Sequence, residues 1–415
     1  MRGLRGPSLC LSLLTFFCTI PIRAQVQATN GSIQGDVTDA QERLITGASV
    51  EADDVDTETA HRVLTDGSGH FGFPSLQPGN YVVKVSMPGF ATILQENISL
   101  TVGRTVSLKL AMQIAATSET VVVKTTPMID LETTSSTSTL NEQTIATNPV
   151  LSRKFEDLLT LTPGVSITQG PDGDEINING QRGIFNNISL DGGDYNNGFF
   201  GEHMGGQRAA VNITLEAFKE FEVVASGANA EFGRTAGGVV NVVTKSGTND
   251  FHGSLFEYQR LEALTAHTSD GKPLTNFHRA QFGGSAGGWI VKDKLFYFGA
   301  AEGIAENLQR QNLGATIGTP CSVTNPVFGS NITEAQINAS GDCQRQVLIN
   351  YYKANFKKDE GQPVDHAIRN SAAISRLDFN INQRNLLYAS YNFDYSKNAN
   401  QTFDVPTYGA SANGI

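Results

Sequence analysis

Between residue 250 and the C-terminus several segments alternate oily and wet side chains with a period of two, and this limits the folds open to the chain more than any other feature. In the stretch 373–381 the odd positions carry Ala373, Leu377, Phe379 and Ile381, and the even ones Arg376, Asp378 and Asn380. In 387–395 Leu387, Ala389, Tyr391, Phe393 and Tyr395 alternate with Ser390, Asn392 and Asp394, after a turn at Gln383, Arg384 and Asn385. A period of two puts each set on its own face of a strand. A soluble sandwich and a membrane wall both hide such an oily face, so alternation alone does not separate them. Loop lengths do. Strands over 281–290 and 295–303 are joined by the tight turn Val291, Lys292, Asp293 and Lys294, whereas about 65 residues separate Gly303 from the next strand and about 20 separate Arg260 from Gln281. Short turns at one end and long loops at the other mark strands that cross an outer membrane. Crossing lipid requires closure, because an unpaired backbone group in hydrocarbon costs several kcal/mol. About five strands are expected here, against the ~8 of the smallest membrane barrels. The sequence therefore reads as the first part of an unfinished wall, from a fragment or a truncated gene.

Residues 1–24 carry Arg2 and Arg5, an apolar run over 9–20, Pro21 and a cut after Ala24, the pattern of a signal peptide. The run is too short for a membrane anchor, which needs ~20 apolar residues. Cys10 and Cys18 leave with the leader, so Cys321 and Cys343 remain as a pair in an oxidising compartment and are expected to be bridged. A formal charge of -11 without clustered Lys and Arg argues against a nucleic-acid partner.

Short alternating runs separated by turn residues predict a β-sandwich of about seven strands over 31–112. Gly67, Gly69 and Gly72 have the spacing of a dinucleotide loop, but Phe73-Pro74 follows where a helix should start, so a hairpin turn is expected. Residues 113–140 are small and polar and read as a flexible linker around one apolar island, Glu119, Thr120, Val121, Val122 and Val123. Residues 141–249 mix periods and predict an α+β unit. Ser152 is expected to cap a helix through Phe155, Leu158 and Leu159, and a second short helix is expected over 214–218. Strands are expected at 176–178, 188–190, 221–224 and 239–243.

Two resemblances rest on these residues. Gly35-x-Val37, Gly47-Ala48-x-Val50, Thr65-Asp66, Gly69-x-Phe71-x-Phe73, Leu76-x-x-Gly79-x-Tyr81 and Pro88-Gly89-Phe90 resemble the carboxypeptidase-regulatory-like domain, which implies an Ig-like sandwich without a catalytic zinc. From Thr117 to about Tyr395 the chain resembles the TonB-dependent outer-membrane receptors, and specifically their Oar-like branch. That resemblance is carried by Leu161-Thr162-Pro163-Gly164-Val165, residues 176–182, Leu190-Asp191-Gly192, residues 218–223, Phe232-Gly233 and 236–247, with 292–298 in the wall. Asn177 and Gln181 depart from the form common in siderophore members, so iron-chelate specificity is not implied.

The resemblance implies a mostly β protein: signal peptide, Ig-like β-sandwich, α+β plug domain over 141–249, and the first ~5 strands of an incomplete transmembrane β-barrel over 250–415. It implies energised uptake of a large solute across the outer membrane of a Gram-negative bacterium. The expected partners are the TonB C-terminal domain, outer-membrane lipid, and an oligosaccharide, peptide or other solute. Glu119, Thr120, Val121, Val122 and Val123 are where this chain offers a TonB box, an extended segment able to join a sheet edge. The competing reading makes Val121 to Val123 the first strand of the plug. Arg182, Arg208, Arg234 and Lys245 are weighed as partners of acidic wall groups against solvated surface charge, without a choice, and Tyr195, Asn196, Phe199 and Phe200 lie in a loop that either presents aromatics to a ligand or packs as a Gly-rich turn. No cofactor, metal or catalytic residue is expected, since a His-Glu-x-x-His helix, a nucleophile elbow, a phosphate loop and a Cys-x-x-Cys are all missing from the sequence. The rival outside transport is a surface adhesion protein built of β-modules.

Overall fold

A computed structural model describes residues 29–114, 120–124, 135–148, 150, 153–170, 173–196, 213–228, 232–233, 235–267, 274–310, 316–382 and 385–398. The leader 1–24 and Glu119, Ser152, Phe199, Phe200, Arg208, Arg234, Gln383 and Arg384 lie outside them.

The first unit is a two-layer sandwich. Its strands are β1 (Gly31–Asp39), β2 (Ser49–Asp54), β3 (Ala60–Leu64), β4 (His70–Leu76), β5 (Gly79–Ser86), β6 (Thr92–Leu100) and β7 (Thr105–Met112). One sheet runs β4-β1-β7 and the other β3-β2-β5-β6. Alternate side chains along every strand but β3 point inward, and Ile33, Val37, Phe71, Tyr81, Val83 and Met112 form a dry core between the layers. β1 and β7 pair in parallel so closely that a Cβ on Gly35 would lie 2.1 Å from the carbonyl oxygen of Leu108. The glycine-rich segment after β3 is a turn closed by Asp66, whose Oδ1 accepts from Ser68 N at 2.9 Å and His70 N at 3.0 Å. It is not a hairpin, because β3 pairs with β2 and β4 with β1, so the turn carries the chain from one sheet to the other.

An eighth strand, β8 (Thr120–Lys124), adds in parallel to the free edge of β6. The linker thus contains regular structure. At its far end the Ser/Thr-rich run also pairs, as β9 (Ser136–Asn141), because β-branched Thr suits an edge strand even where only Leu140 is buried.

The second unit is built on the sheet β13-β12-β15-β14-β9, from β12 (Asn187–Leu190), β13 (Gly193–Asp194), β14 (Phe218–Ser226) and β15 (Val239–Thr244). A hairpin of β10 (Val165–Gly170) and β11 (Gly173–Ile178) lies beside it. Helix α1 (Glu142–Thr147), which the sequence reading lacks, starts at Asn141, whose side chain accepts from Thr144 N at 3.0 Å. Helix α2 (Phe155–Leu159) has Lys154 before it and no side-chain cap, and the expected helix near 214 is a single 3-10 turn, Leu215–Ala217. All of β15 and all but two residues of β14 are buried, as expected of strands covered on both faces.

The third unit is one meander, β16 (His252–Leu261), β17 (Thr275–Val291), β18 (Leu295–Arg310), β19 (Val364–Asn382) and β20 (Asn385–Asn398), each antiparallel to the next. The sheet is open, with β16 and β20 at its edges. Leu255, Phe282, Leu377, Tyr391, Phe393 and Tyr395 point outward and are exposed, while Phe296, Phe298, Ala372, Ile374, Arg376 and Asp378 point inward and are buried. The strands run longer than the sequence suggests. At about 3.4 Å per residue the 17 residues of β17 extend roughly 55 Å, beyond an apolar band of ~25 Å, so pairing continues where the hydropathy pattern has ended. A short turn lies at residues 292–294, and two residues separate β19 from β20 at the same end. At the opposite end, residues 311–363 carry α3 (Glu334–Asn338) and α4 (Gly341–Phe356), stapled by the Cys321–Cys343 disulfide. β15 passes into β16 through residues 245–251, where a Cβ on Gly247 would lie 2.3 Å from two wall carbonyls, those of Gly288 and Tyr297.

Candidate functional site

The plug unit sits against the wet, inward face of the open wall. Ile188, Tyr195, Phe218 and Val242 share one core with Phe298, Ala300 and Ile374 of the wall, so the two units are joined by a dry seam. A buried ionic latch sits within that seam.

Arg376 on β19 lies at an even, inward position six residues from the end of its strand, at the short-turn side. Its side chain is 6% exposed, and that of Asp191 3%. The chain turns at Asp191 with φ 48°, followed by Gly192 at φ 78°, and this αL pair aims the carboxylate across the seam. Asp191 Oδ1 accepts from Thr244 N at 2.9 Å and Arg376 Nη1 at 3.1 Å, and Oδ2 accepts from Thr244 Oγ1 at 2.7 Å. Arg376 Nη1 also donates to Thr244 O at 3.2 Å, while Nη2 and Nε donate to Asp378 at 2.8 and 3.0 Å. Tyr388 closes the site from β20: its hydroxyl donates to the carbonyl of Asp191 at 2.5 Å, and its ring lies 5.0 Å from the guanidinium carbon of Arg376. An arginine this deeply desolvated is held by two carboxylates and a carbonyl, the arrangement that makes a buried charge tolerable.

A second polar contact crosses the seam toward β16. Arg153 pairs with Glu216 at 3.1 Å and stacks over Phe256 and Tyr258 at 4.6 and 4.7 Å, while Ser254 Oγ donates to Glu216 at 2.7 Å. Of the cations weighed from the sequence, the two among the described residues pair elsewhere. Arg182 pairs with Glu175 and Lys245 with Glu142, both inside the plug. In the latch the wall supplies the cation and the plug the carboxylate. The available signal was Arg376 and Asp378 together on the wet face of a lipid-crossing strand, where charge has to find a partner.

Of the loop read as either ligand-facing or a packed turn, Tyr195 and Asn196 are both buried. Burial pushes the Tyr195 hydroxyl up from its ordinary value, with Asp394 adding to the effect, and Asn392 Nδ2 lies 3.4 Å from it. Asn196 spans the turn, accepting from Ile188 N at 3.1 Å and donating to Asp194 Oδ1 at 2.6 Å.

The sandwich meets both other units at the short-turn end. Gln77 Nε2 donates to Asp378 Oδ1 at 3.4 Å, Asn380 Nδ2 to Thr59 Oγ1 at 2.8 Å, and Asn249 Nδ2 to the carbonyl of Thr57 at 2.9 Å. Against the plug, Val102 N donates to Glu220 Oε1 at 2.5 Å. Burial raises the Glu220 carboxyl to about 7, against the lowering effects of that N–H and of Lys219. A cavity of about 830 Å³ remains between the three units, lined in part by His61, Pro74, Lys219, Arg376, Asn385 and Tyr388. Among the described residues there is no group of three His, Cys, Asp or Glu side chains able to hold a metal ion.

Strand β8 carries Thr120, Val121, Val122 and Val123 of the candidate TonB box. It pairs with the sandwich and not with the plug sheet, so the alternative of a first plug strand does not describe it.

Three families match successive parts of the chain: the carboxypeptidase regulatory-like domain at residues 32–113, the TonB-dependent receptor plug domain at 130–240, and the outer membrane beta barrel domain at 243–414. The TonB-dependent transporter Oar of Myxococcus xanthus is 30% identical over 289 residues, covering 65% of this chain and 26% of Oar. The chain thus spans about a quarter of that relative's length. Among solved structures, the siderophore receptor PirA of Acinetobacter baumannii aligns at 19% identity and TM-score 0.40 over 63% of this chain and 32% of its own. The outer membrane transporter YddB of Escherichia coli aligns at 13% and 0.42 over 64% and 34%. With a regulatory-like sandwich, a plug and the opening strands of an outer-membrane wall in that order, the chain belongs to the TonB-dependent outer-membrane receptor family.

Proposed function

We propose that this chain supplies the entry half of an energised outer-membrane transporter: a plug latched to the wall it obstructs, and a strand through which an inner-membrane partner pulls. The observation that carries this reading is the seam, where a shared core and the Arg376–Asp191 pair fix the plug to the wet face of the wall. A solute admitted by this route crosses only when that seam opens, and a buried ion pair resists opening unless work is supplied. The partner is the TonB C-terminal domain. It captures the segment Glu119, Thr120, Val121, Val122 and Val123 by adding it to a sheet edge through main-chain hydrogen bonds. The outward stripe of Leu377, Tyr391, Phe393 and Tyr395 meets lipid, which favours transport over a soluble adhesion role. The solute is large, of the oligosaccharide or peptide class, and is selected at the long-loop end.

The test is capture of the full chain in detergent by immobilised TonB C-terminal domain, wild type against Val122→Pro. Proline removes a main-chain donor from the segment, so capture is expected to fall at least tenfold. Equal capture of the two chains rules the coupling role out.

A further inference from the structure

The strand assigned to the energy partner already has an edge to occupy. Thr120–Lys124 lies parallel to β6 in the register Thr92↔Thr120, Ile93↔Val121, Leu94↔Val122, Gln95↔Val123 and Glu96↔Lys124. β6 bonds on its other side to β5, so this segment covers what is otherwise the open edge of the larger sandwich sheet. The contact is β-augmentation within one chain, made with the same kind of main-chain groups that partner capture uses.

We propose that the sandwich is a parking site for the coupling strand: the β6 edge holds residues 120–124 and competes with the TonB C-terminal domain for them. This rests on the coupling role proposed above and adds the competitor. Two physical features favour a reversible hold. The pairing is five residues long and parallel, the weaker of the two ladder types. The strand is also tethered on both sides, to β7 through residues 113–119 and to β9 through residues 125–135, so it returns to β6 when released. A partner that binds only the released strand has its apparent affinity divided by the released fraction. If that fraction is about 1–10%, capture is weakened roughly 10- to 100-fold relative to a chain that cannot park. The sandwich is docked on the plug through Val102 and Glu220 and on the short-turn end of the wall through Thr59 and Asn380. A shift at that end therefore reaches the parking edge through contacts already in place.

Two measurements on the full chain in detergent test this. In the first, Leu94→Cys and Val122→Cys are combined, since these positions are register partners. The clamp is confirmed by mass spectrometry, and binding of the TonB C-terminal domain is titrated before and after mild reduction, with wild type treated identically. The oxidised clamp is expected to bind at least 10-fold more weakly than the reduced chain. Failure of the cross-link to form, or equal binding in both states with the link in place, overturns the proposal. In the second, hydrogen exchange is followed at the amides of Thr92 to Glu96 in wild type. Competition predicts faster exchange on adding the partner, because β6 loses its neighbour. Unchanged or slower exchange means that the partner adds to the outer side of a strand that stays docked, and this also overturns the proposal. If the reduced double variant and wild type both fail to bind, the coupling role itself falls. A clamp that still forms then shows that the strand docks for another reason.

Discussion

Replacing Asp191 with alanine removes the plug's half of the latch and leaves the wall's half buried. Asp191 accepts three hydrogen bonds, two from Thr244 and one from Arg376, and in the variant the guanidinium retains only Asp378 as a countercharge. Breaking one side of a buried pair costs about 3–5 kcal/mol, mostly the desolvation of the charge left behind. The penalty falls on the seam, so the plug's attachment weakens while the wall keeps its ladder. Hydrogen exchange at the amides of Val239–Thr244 is the assay, because β15 is buried throughout and exchanges only when the seam opens. At about 1.4 kcal/mol per decade, exchange is expected to accelerate by roughly two to three and a half orders of magnitude. Arg376→Met leaves two carboxylates close together without their cation and is expected to fall in the same range. The double variant removes the pair together and should recover much of the loss, a coupling energy of about 2 kcal/mol or more. A coupling below ~0.5 kcal/mol, or unaltered β15 exchange in Asp191→Ala, refutes the latch.

Glu220 gives a pH signature. Its carboxyl is raised to about 7 from the usual 4.5 by burial, so the folded contact is strongest where the unfolded chain also keeps its proton, and it weakens as the pH climbs from 4.5 through 7. Glu220→Gln keeps an acceptor for Val102 N–H and is expected to flatten that dependence, stabilising the sandwich–plug contact near pH 7.5 by up to about 3 kcal/mol in denaturant titrations. Gly35→Ala forces a methyl against the carbonyl of Leu108 and is expected to cost about 1–3 kcal/mol, read as faster exchange in β1 and β7. Cys343→Ser opens a cross-link between residues 22 apart and is expected to destabilise α4 by about 3 kcal/mol, leaving the exchange of the wall strands unchanged.

The wall was readable because lipid and plug impose opposite demands on neighbouring side chains, as at Leu377 against Arg376 and Asp378. Its full length was not, because Thr275 to Ala280 of β17 lie before the alternating stretch and still pair, Thr275 with Gln309 and His278 with Asn307. β9 was hidden in a Ser/Thr run that composition assigns to linker, and α1 depends on a single cap at Asn141. The latch was half visible: the charges of β19 stand out, yet nothing local ties Arg376 to an aspartate 185 positions earlier. The location of β8 illustrates a different limit. Three consecutive valines specify a strand, but any compatible edge within reach of the tether satisfies them equally well.

The crossing from β15 to β16 gives the obstruction one end that cannot travel. With Gly247 jammed against the wall carbonyls, the stopper is bolted to its frame on that side. A tug arriving along residues 125–135 meets Ser136 first, at the rim of the plug sheet, where rungs part in succession and not all at once. Under the pull proposed above, the sheet would part from that rim first while the far side stays fastened.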